Sequence, residues 1–174
     1  MLVGAAVAAA VVLGLFYLKA PAATRVRPGA RAPEVELAGL EGGRGRIPGP
    51  RAPATVLVFF DTTWPVMDRY AVTLERLYRR YYRRGLRMVG VCLDRDAAAA
   101  KAFVHAHAIT FTVLHDPGGT AVAPHYGIPR GPELYVIDAG GNVRASHSEP
   151  FDWRLPEHRG LIEGLLPSPS PGAW

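Results

Sequence analysis

Three apolar runs along the chain predict the central strands of a β-sheet. Residues 56–60, with the sequence VLVFF, are apolar on both faces, which is typical of a strand that is covered on both sides. Residues 86–93 and 134–137 are runs of the same kind. A Gly-Gly turn follows the third run and predicts a hairpin with a partner strand at residues 143–148.

Segments with helical periodicity separate these runs. Apolar side chains recur on one face of residues 68–84, which predicts a helix that follows the first strand after a short loop. The alanine-rich residues 97–107 predict a second helix with Asp94 or Asp96 as its N-terminal cap, and residues 157–166 predict a third. The order β-α-β-α-β-β-α indicates an α/β fold, in which a mixed central sheet carries helices on both faces.

The composition of the remaining segments predicts the domain boundaries. Residues 20–53 are rich in Gly, Pro and Arg and predict a linker and an N-terminal loop. Within them, polar and apolar residues alternate over residues 34–37, which predicts a short strand. Residues 39–53 lack a hydrophobic period and predict a loop. Residues 54–166 are expected to form one domain, because a chain of 174 residues that is 49% hydrophobic has enough apolar surface for one core. The Pro- and Ser-rich residues 167–174 predict a disordered tail.

An uninterrupted apolar segment at residues 2–18 predicts that residues 1–19 form a transmembrane anchor, which makes the bilayer an expected partner. The segment lies at the short end of the about 17–25 residues that span a bilayer, and it exceeds the core of about 7–15 residues of a signal peptide. A cleaved signal peptide is an alternative, because residues 20–22 offer small side chains at a cleavage site. A buried soluble helix is a third interpretation.

The charges that flank this segment predict its orientation. Lys19, Arg25, Arg27 and Arg31 all follow the apolar residues, and no basic residue precedes them. The positive-inside rule therefore favours a cytoplasmic location for the remainder of the chain. The formal net charge of +5 is modest and does not by itself indicate a nucleic-acid partner.

Few residues of the chain could support redox or metal chemistry. Cys92 is the only cysteine, which excludes an intramolecular disulfide, a CxxC motif and a thiolate zinc cluster. It lies within a predicted buried strand, where cysteine usually behaves as an inert apolar residue, and a reactive role is the alternative. His105 and His107 are two residues apart on a helix and point to different sides, so neither a metal nor another cofactor is predicted.

Several segments, in this order and spacing, resemble the thioredoxin-like redoxins, which group peroxiredoxin-like proteins with membrane-anchored thiol–disulfide oxidoreductases. The segments are GARAP at residues 29–33, VLVFF, LYRRYYRRGLRMVGVCLD, HDPGGTAVAPHYGI and PELYVID at residues 132–138. The loop sequence WPVMDRYAV at residues 64–72 is similar to the CPxxNRYAP motif of one subset. The resemblance implies a thioredoxin-like fold, a cis-proline at Pro132 that faces the loop, and an extracytoplasmic domain, opposite to the side that the flanking charges favour.

The loop departs from this family at the residues that carry its chemistry. In one alignment Trp64 and Met67 stand at the positions of the cysteines, and in the WCxxC alignment Pro65 and Asp68 do. Thiol–disulfide exchange needs a thiolate that attacks and a sulfur that resolves, and none of these four side chains supplies either. The sequence therefore predicts no catalytic residue in the loop.

Two surfaces remain candidates for binding a protein partner. The first is the loop with its opposing proline, because an exposed tryptophan favours binding and a strand beside the proline could pair with an extended peptide. The second is the arginine-rich helix that follows the loop, which is interpreted either as a solvated face or as a contact for anionic lipid or an acidic partner. The candidate residues are Trp64, Val66, Met67, Gly131 and Pro132 for the first surface and Arg76, Arg80 and Arg83 for the second.

These features together favour a membrane-anchored, non-catalytic thioredoxin-fold protein that binds a partner as an accessory subunit of a membrane complex. The alternative is a thiol–disulfide oxidoreductase or a peroxiredoxin-like antioxidant enzyme, in which Cys92 or the thiol of a partner supplies the chemistry. The two hypotheses differ in whether the purified protein turns over a disulfide or a peroxide.

Overall fold

The computed structural model describes residues 25–127, 132–148, 150 and 152–168, and within them seven strands form one mixed sheet. The strands lie side by side in the order β2-β1-β5-β4-β3-β6-β7. The three central strands β3, β4 and β5 are parallel, and the other neighbouring pairs are antiparallel. The strands are β1 (Val35–Gly39), β2 (Arg44–Ile47), β3 (Ala54–Phe60), β4 (Leu86–Cys92), β5 (Thr112–His115), β6 (Glu133–Asp138) and β7 (Val143–His147).

Four α-helices accompany the sheet in the described part of the chain. The long helix after β3 and the alanine-rich helix after β4 confirm the two helices predicted there. The helix near the C-terminus also agrees with its prediction, apart from its ends. The helices are α1 (Met67–Tyr81), α2 (Ala97–Ala106), α3 (Ala123–Tyr126) and α4 (Pro156–Glu163), and single 3-10 turns span Tyr82–Arg84 and Pro117–Gly119.

The two faces of the sheet carry separate apolar clusters. Side chains alternate along β3, so that Val58 and Phe60 pack with α1, α2 and α4, whereas Leu57 and Phe59 pack on the opposite face. The ring of Tyr126 in α3 lies 5.0 Å from the ring of Phe59 on that second face. The sheet is thus covered on both sides, which agrees with the apolar character of β3 on both faces.

The N-terminal part of the domain is more ordered than its composition predicts. The loop expected over residues 39–53 contains β2, which corrects that expectation. The side chain of Ile47 is fully buried, and the backbone of β2 pairs with β1 in an antiparallel hairpin. Glycine and arginine conceal this strand from pattern analysis, because backbone hydrogen bonds define it and apolar alternation does not.

The residues that precede β1 also contact the sheet. The amide of Gly29 donates to the carbonyl of Val143 at 2.7 Å, and the amide of Val143 donates to the carbonyl of Ala30 at 2.8 Å. The amide of Ala32 donates to the carbonyl of Gly141 at 2.9 Å. Residues 29–32 therefore pair with the turn before β7 and with its first residue, ahead of residue 54 where the sequence places the start of the domain.

None of the helices within the described ranges is long and apolar enough to cross a membrane. The apolar segment at residues 2–18, which the sequence predicts to be an anchor, lies outside those ranges. Residues 169–174 of the predicted tail also lie outside them.

Gly90 in β4 provides a test of the packing against α1 and α2. A Cβ atom at this position would lie 3.0 Å from Cε1 of Phe60 and 3.2 Å from Cε2 of Phe111. We expect Gly90→Ala to lower the free energy of unfolding by about 1–3 kcal/mol, because both rings would have to shift in a close-packed core. Urea titration of the full chain, followed by far-UV circular dichroism, measures this loss.

Gly160→Ala is the matched control for that substitution. A Cβ atom at Gly160 meets no atom within 4 Å, and the position lies in α4, where alanine is favoured over glycine. We expect this variant to be at least as stable as the parent chain. An equal loss in the two variants would contradict the proposed packing of Phe60 and Phe111 around Gly90.

Candidate functional site

The loop between β3 and α1 lies at the carboxyl ends of the parallel strands. The amide of Leu93, just beyond β4, donates to the carbonyl of Phe60 at 2.8 Å, so the two strands end side by side. The chain then turns twice, because the amide of Trp64 donates to the carbonyl of Asp61 and the amide of Met67 donates to that of Trp64. This edge of an open α/β sheet is where functional sites are usually found.

A buried carboxylate fixes the conformation of this loop. The side chain of Asp94 follows β4, is 5% exposed, and accepts a hydrogen bond from the amide of Thr62 at 2.7 Å. The hydroxyl of Thr62 donates to the second oxygen of the same carboxylate. Asp96, and not Asp94, caps α2 by accepting from the amide of Ala98 at 2.8 Å. This resolves the two possibilities that the sequence left open.

The side chains of the loop divide between core and surface. Trp64 is partly buried and packs against both apolar clusters, whereas Pro65 is exposed and Val66 is 42% exposed. Met67 is 1% exposed and belongs to the core, which corrects the expectation that it forms part of a binding surface. A methionine at the first position of an amphipathic helix faces the sheet, because the buried stripe of α1 starts there.

Asp68 lies in the first turn of α1 and points towards α2. Its side chain is 84% exposed, and its Oδ1 lies 3.2 Å from Nε2 of His107, which is 17% exposed. His105, two residues earlier on the same helix, lies 3.3 Å from Glu41. The two histidines thus face different partners, as their spacing predicts, and no cluster of three metal-ligating side chains occurs in the described ranges.

Strand β6 carries a second buried carboxyl group near the loop. Pro132 is buried, and Gly131, predicted to stand beside it, lies outside the described residues. Glu133 follows Pro132, is fully buried, and has its Oε1 3.3 Å from Nε of Arg25. Burial raises the pKa of Glu133, and the nearby Arg25 acts in the opposite direction.

Neither Asp94 nor Glu133 is predicted by the sequence pattern to be part of this site. Glu133 interrupts the otherwise apolar segment PELYVID, and Asp94 directly follows the apolar run of β4. An acidic residue within or just after a buried strand is the signal that could have identified each of them, since a buried carboxylate requires hydrogen bonds or a counter-ion.

Cys92 is the last residue of β4 and is fully buried. The pKa of its thiol is raised to about 12, chiefly by burial and in smaller part by the negative charges of Asp94 and Asp61. A backbone hydrogen bond involving Asp94 acts in the opposite direction but does not outweigh these causes. The thiol lies near the loop but is almost entirely protonated at neutral pH, so it lacks the exposure and charge of a nucleophilic cysteine.

The arginines around α1 have different environments. Nε of Arg79 donates to Glu75 at 2.6 Å, and the guanidinium of Arg83 lies 5.8 Å from the ring centre of Tyr82. Arg76 and Arg80, in contrast, line a groove of about 1200 Å³ between α1 and residues 150, 152–154 and 159. Val66 lines the same groove, but Arg83 does not. The structure therefore brings three of the predicted binding residues together in one depression beside the loop.

Comparison with known proteins identifies the family and the fold. The model of the AhpC/TSA family matches residues 28–146, from the segment beside β7 into β7 itself. The chain is 24% identical over 119 residues to the thiol-disulfide oxidoreductase ResA of Bacillus thuringiensis (strain Al Hakam), which covers 68% of each protein. It is 28% identical over 136 residues to the chloroplastic peroxiredoxin Q of Triticum aestivum, which covers 73% of this chain and 61% of the relative.

A solved structure gives the same fold. The thioredoxin domain of a thiol-disulfide oxidoreductase from Bacteroides vulgatus superposes with a TM-score of 0.70 at 16% identity, over 82% of this chain and 99% of that one. The mixed sheet with its helices is thus a thioredoxin-like α/β fold. Since the family model covers well over half of the sequence, this chain belongs to the AhpC/TSA family, in a degenerate form that has one cysteine and none in the loop.

Proposed function

We propose that this chain is a redoxin-family binding protein that performs no thiol chemistry of its own. The observation that carries the proposal is the loop at residues 61–68, which has the position of a redoxin active loop but contains no cysteine. The one thiol of the chain is that of Cys92, which is fully buried. A protein without an accessible thiolate cannot attack a disulfide or a peroxide directly.

The loop has properties that favour binding. Asp94 fixes the backbone at Thr62 from a buried position, so the loop is ordered before a partner arrives and loses little conformational entropy on binding. Trp64 offers an aromatic surface, and the exposed Val66 extends it towards the groove beside α1. These residues would hold part of a partner protein, as an accessory subunit does.

A thiol–disulfide oxidoreductase or peroxiredoxin-like enzyme is the second candidate. The comparisons favour it over the first, because the relatives described above bear these names, whereas the side chains of the loop favour the first. In this candidate Cys92 or a thiol of the partner would attack the substrate sulfur or oxygen. Cys92 could do so only if its strand opened, because the folded structure excludes solvent from the thiol and keeps it protonated.

Membrane attachment is part of the proposal. Arg25 lies 3.3 Å from Glu133, which pairs with Phe59 near the end of β3, so the chain enters the domain at the same edge as the loop. If residues 2–18 span the bilayer, the six residues 19–24 can extend over at most about 20 Å. The loop would then lie close to the membrane surface, where a membrane-embedded partner could reach it.

The compartment of the domain is a separate part of the proposal. The resemblance of the chain to the redoxins favours an extracytoplasmic location of the domain. The basic residues after the apolar segment favour a cytoplasmic location. A pair of reporters fused after Trp174, one active only outside and one active only inside the cell, decides between the two. Activity of the inside reporter alone would exclude the extracytoplasmic location.

The absence of turnover is the first expected result. Purified full-length protein should reduce insulin disulfides and hydrogen peroxide no faster than buffer with dithiothreitol does, because the loop supplies no thiolate. Rates similar to those of a ResA protein assayed in parallel would refute the binding proposal. In that event Cys92→Ser separates the remaining mechanisms: retained activity removes Cys92 from the reaction, and lost activity assigns the reaction to it.

The second expected result concerns the reactivity of Cys92 towards a thiol reagent. At about pH 7.5, a pKa of about 12 leaves on the order of one thiol in 30,000 ionised, against about one in ten for an ordinary cysteine. We therefore expect labelling by dithionitrobenzoate at least about 100-fold slower in the native protein than in guanidinium chloride. Equally fast labelling in both conditions would mean that Cys92 is accessible and would favour the enzymatic candidate.

Photo-crosslinking from position 64 tests the proposed binding role of the loop. A photoreactive phenylalanine analogue in place of Trp64 should capture a discrete partner in native membranes, because the side chain lies at the junction of the loop and the surface. The same analogue in place of Arg144, an exposed residue of β7, is the control. Identical adduct patterns from the two positions would contradict a binding role for the loop.

A further inference from the structure

The groove beside the loop is bounded by two parts of the chain. One wall is formed by α1, and the other by residues 150, 152–154 and 159. The first wall runs for about 21 Å, the length of fourteen residues of α-helix. It begins at the loop, since Pro65 also lines the groove. Five of the residues of this wall recur at intervals of three and four along the chain: Val66, Arg69, Thr73, Arg76 and Arg80.

The groove has a large excess of positive charge. Six arginines and two aspartates line it. Two of the arginines are neutralised locally, because Arg79 pairs with Glu75 at 2.6 Å and Arg154 pairs with Asp152 at 2.8 Å. The other lining aspartate, Asp68, is turned towards His107. Four arginines are therefore not neutralised within the groove: Arg69, Arg76, Arg80 and Arg159.

Two of these four arginines donate hydrogen bonds to neutral groups. Nε of Arg80 donates to the hydroxyl of Tyr81 at 3.1 Å, and Nη1 of Arg159 donates to the carbonyl of Arg154 at 3.1 Å. The Tyr81 hydroxyl in turn donates to the carboxylate of Glu163, which does not contact Arg80 directly. Among the described residues no carboxylate lies within 4.0 Å of any of the four guanidinium groups. An anionic ligand would therefore gain four charge-assisted contacts without breaking an ion pair of the protein.

The surface between these charges is apolar. Leu77 and Trp153 lie within the groove and are at most 5% exposed, so they form its floor. Val66 and Val72 also line it and are 42% and 40% exposed, which places two of the most exposed large apolar side chains of the described chain here. The groove thus combines an apolar floor with cationic edges, as expected of a site for a ligand that carries both apolar and anionic groups.

We infer that this groove binds an acidic segment of a partner protein in an extended conformation, with carboxylates on the arginines and apolar side chains on the floor. The inference rests on the proposed function, since it names the chemistry of the partner that the redoxin domain holds. An extended chain advances about 3.3 Å per residue, so the 21 Å wall accommodates six or seven residues. Acidic side chains alternating with apolar ones then face the two kinds of surface in turn.

A polypeptide fits this groove better than a membrane surface does. A bilayer is flat on the scale of this groove and would contact only the cationic edges, which would leave the apolar floor unfilled. A narrow chain enters the depression and covers both. Arginine also suits carboxylates, because its planar guanidinium binds them through two parallel hydrogen bonds.

Peptide selection on the full-length protein in detergent micelles tests the inference. A displayed library of random heptapeptides should yield binders in which Asp and Glu are enriched together with an aliphatic or aromatic residue. We expect the consensus peptide, labelled for fluorescence anisotropy, to bind about tenfold or more weakly to the double variant Arg69→Ala/Arg76→Ala. Its affinity should also fall as sodium chloride rises from about 50 to about 500 mM.

The double variant Arg83→Ala/Arg84→Ala is the matched control. It removes two arginines directly beyond the end of α1, so the net charge falls equally, but neither residue lines the groove. We expect its affinity for the peptide to stay within about twofold of the parent value. Equal weakening in the two double variants would overturn the inference, because the effect would then reflect net charge alone.

Other outcomes distinguish this inference from the proposed function. Selection of no peptide, or of peptides without acidic enrichment, overturns the inference. If peptides without acidic residues bind the protein, and bind the Trp64→Ala variant more weakly, the proposed binding function is supported. In that case only the inference that the groove binds an acidic segment fails. Binding of phosphatidylglycerol vesicles that depends on Arg69 and Arg76, without peptide binding, makes the occupant a membrane and also overturns the inference. Thiol turnover refutes the proposed function, whatever the peptides show.

Discussion

The candidate site depends on the buried carboxylate of Asp94. This side chain is 5% exposed and accepts hydrogen bonds from both the amide and the hydroxyl of Thr62. The backbone carbonyl oxygen of Asp94 lies 2.7 Å from Nε2 of His115. A buried carboxylate is tolerated only when hydrogen bonds compensate for its lost hydration. The loop supplies those bonds, so the order of the loop and the burial of the acid depend on each other. Truncation of either partner would leave a buried polar group unsatisfied.

The same end of β4 places the only cysteine of the chain in an environment that favours the protonated thiol. Cys92 lies two residues before Asp94, at the centre of the sheet, where burial and the two neighbouring aspartates all favour the protonated thiol. A catalytic cysteine needs the opposite environment, with solvent access and positive potential. The negative charge that holds the loop therefore also opposes a thiolate in its neighbourhood.

The central fold was predictable from sequence because its elements have strong patterns. Buried positions carry apolar residues, and the spacing of those residues along the sequence predicts the element. This is why the strands β3, β4 and β6 and the amphipathic helix α1 could be predicted. The strand β2 was missed because Arg44 and Gly45 carry no such pattern and only backbone pairing defines the strand. The groove could not be predicted either, since α1 and the segment around Trp153 are some 80 residues apart in sequence and meet only after folding. Arg76 and Arg80 were candidates from the sequence, but the sequence could not separate these two from Arg83, which does not line the groove.

The start of α1 shows how the loop is stabilised at a residue other than cysteine. Asp68 occupies the first turn of this helix, where the helix dipole favours a negative charge. Its Oδ1 lies 3.2 Å from Nε2 of His107 at the end of α2, so the same carboxylate also links the two helices. A carboxylate at this position stabilises the helix start whether or not the protein carries out thiol chemistry. The fold of the loop therefore does not by itself determine the reaction of the domain.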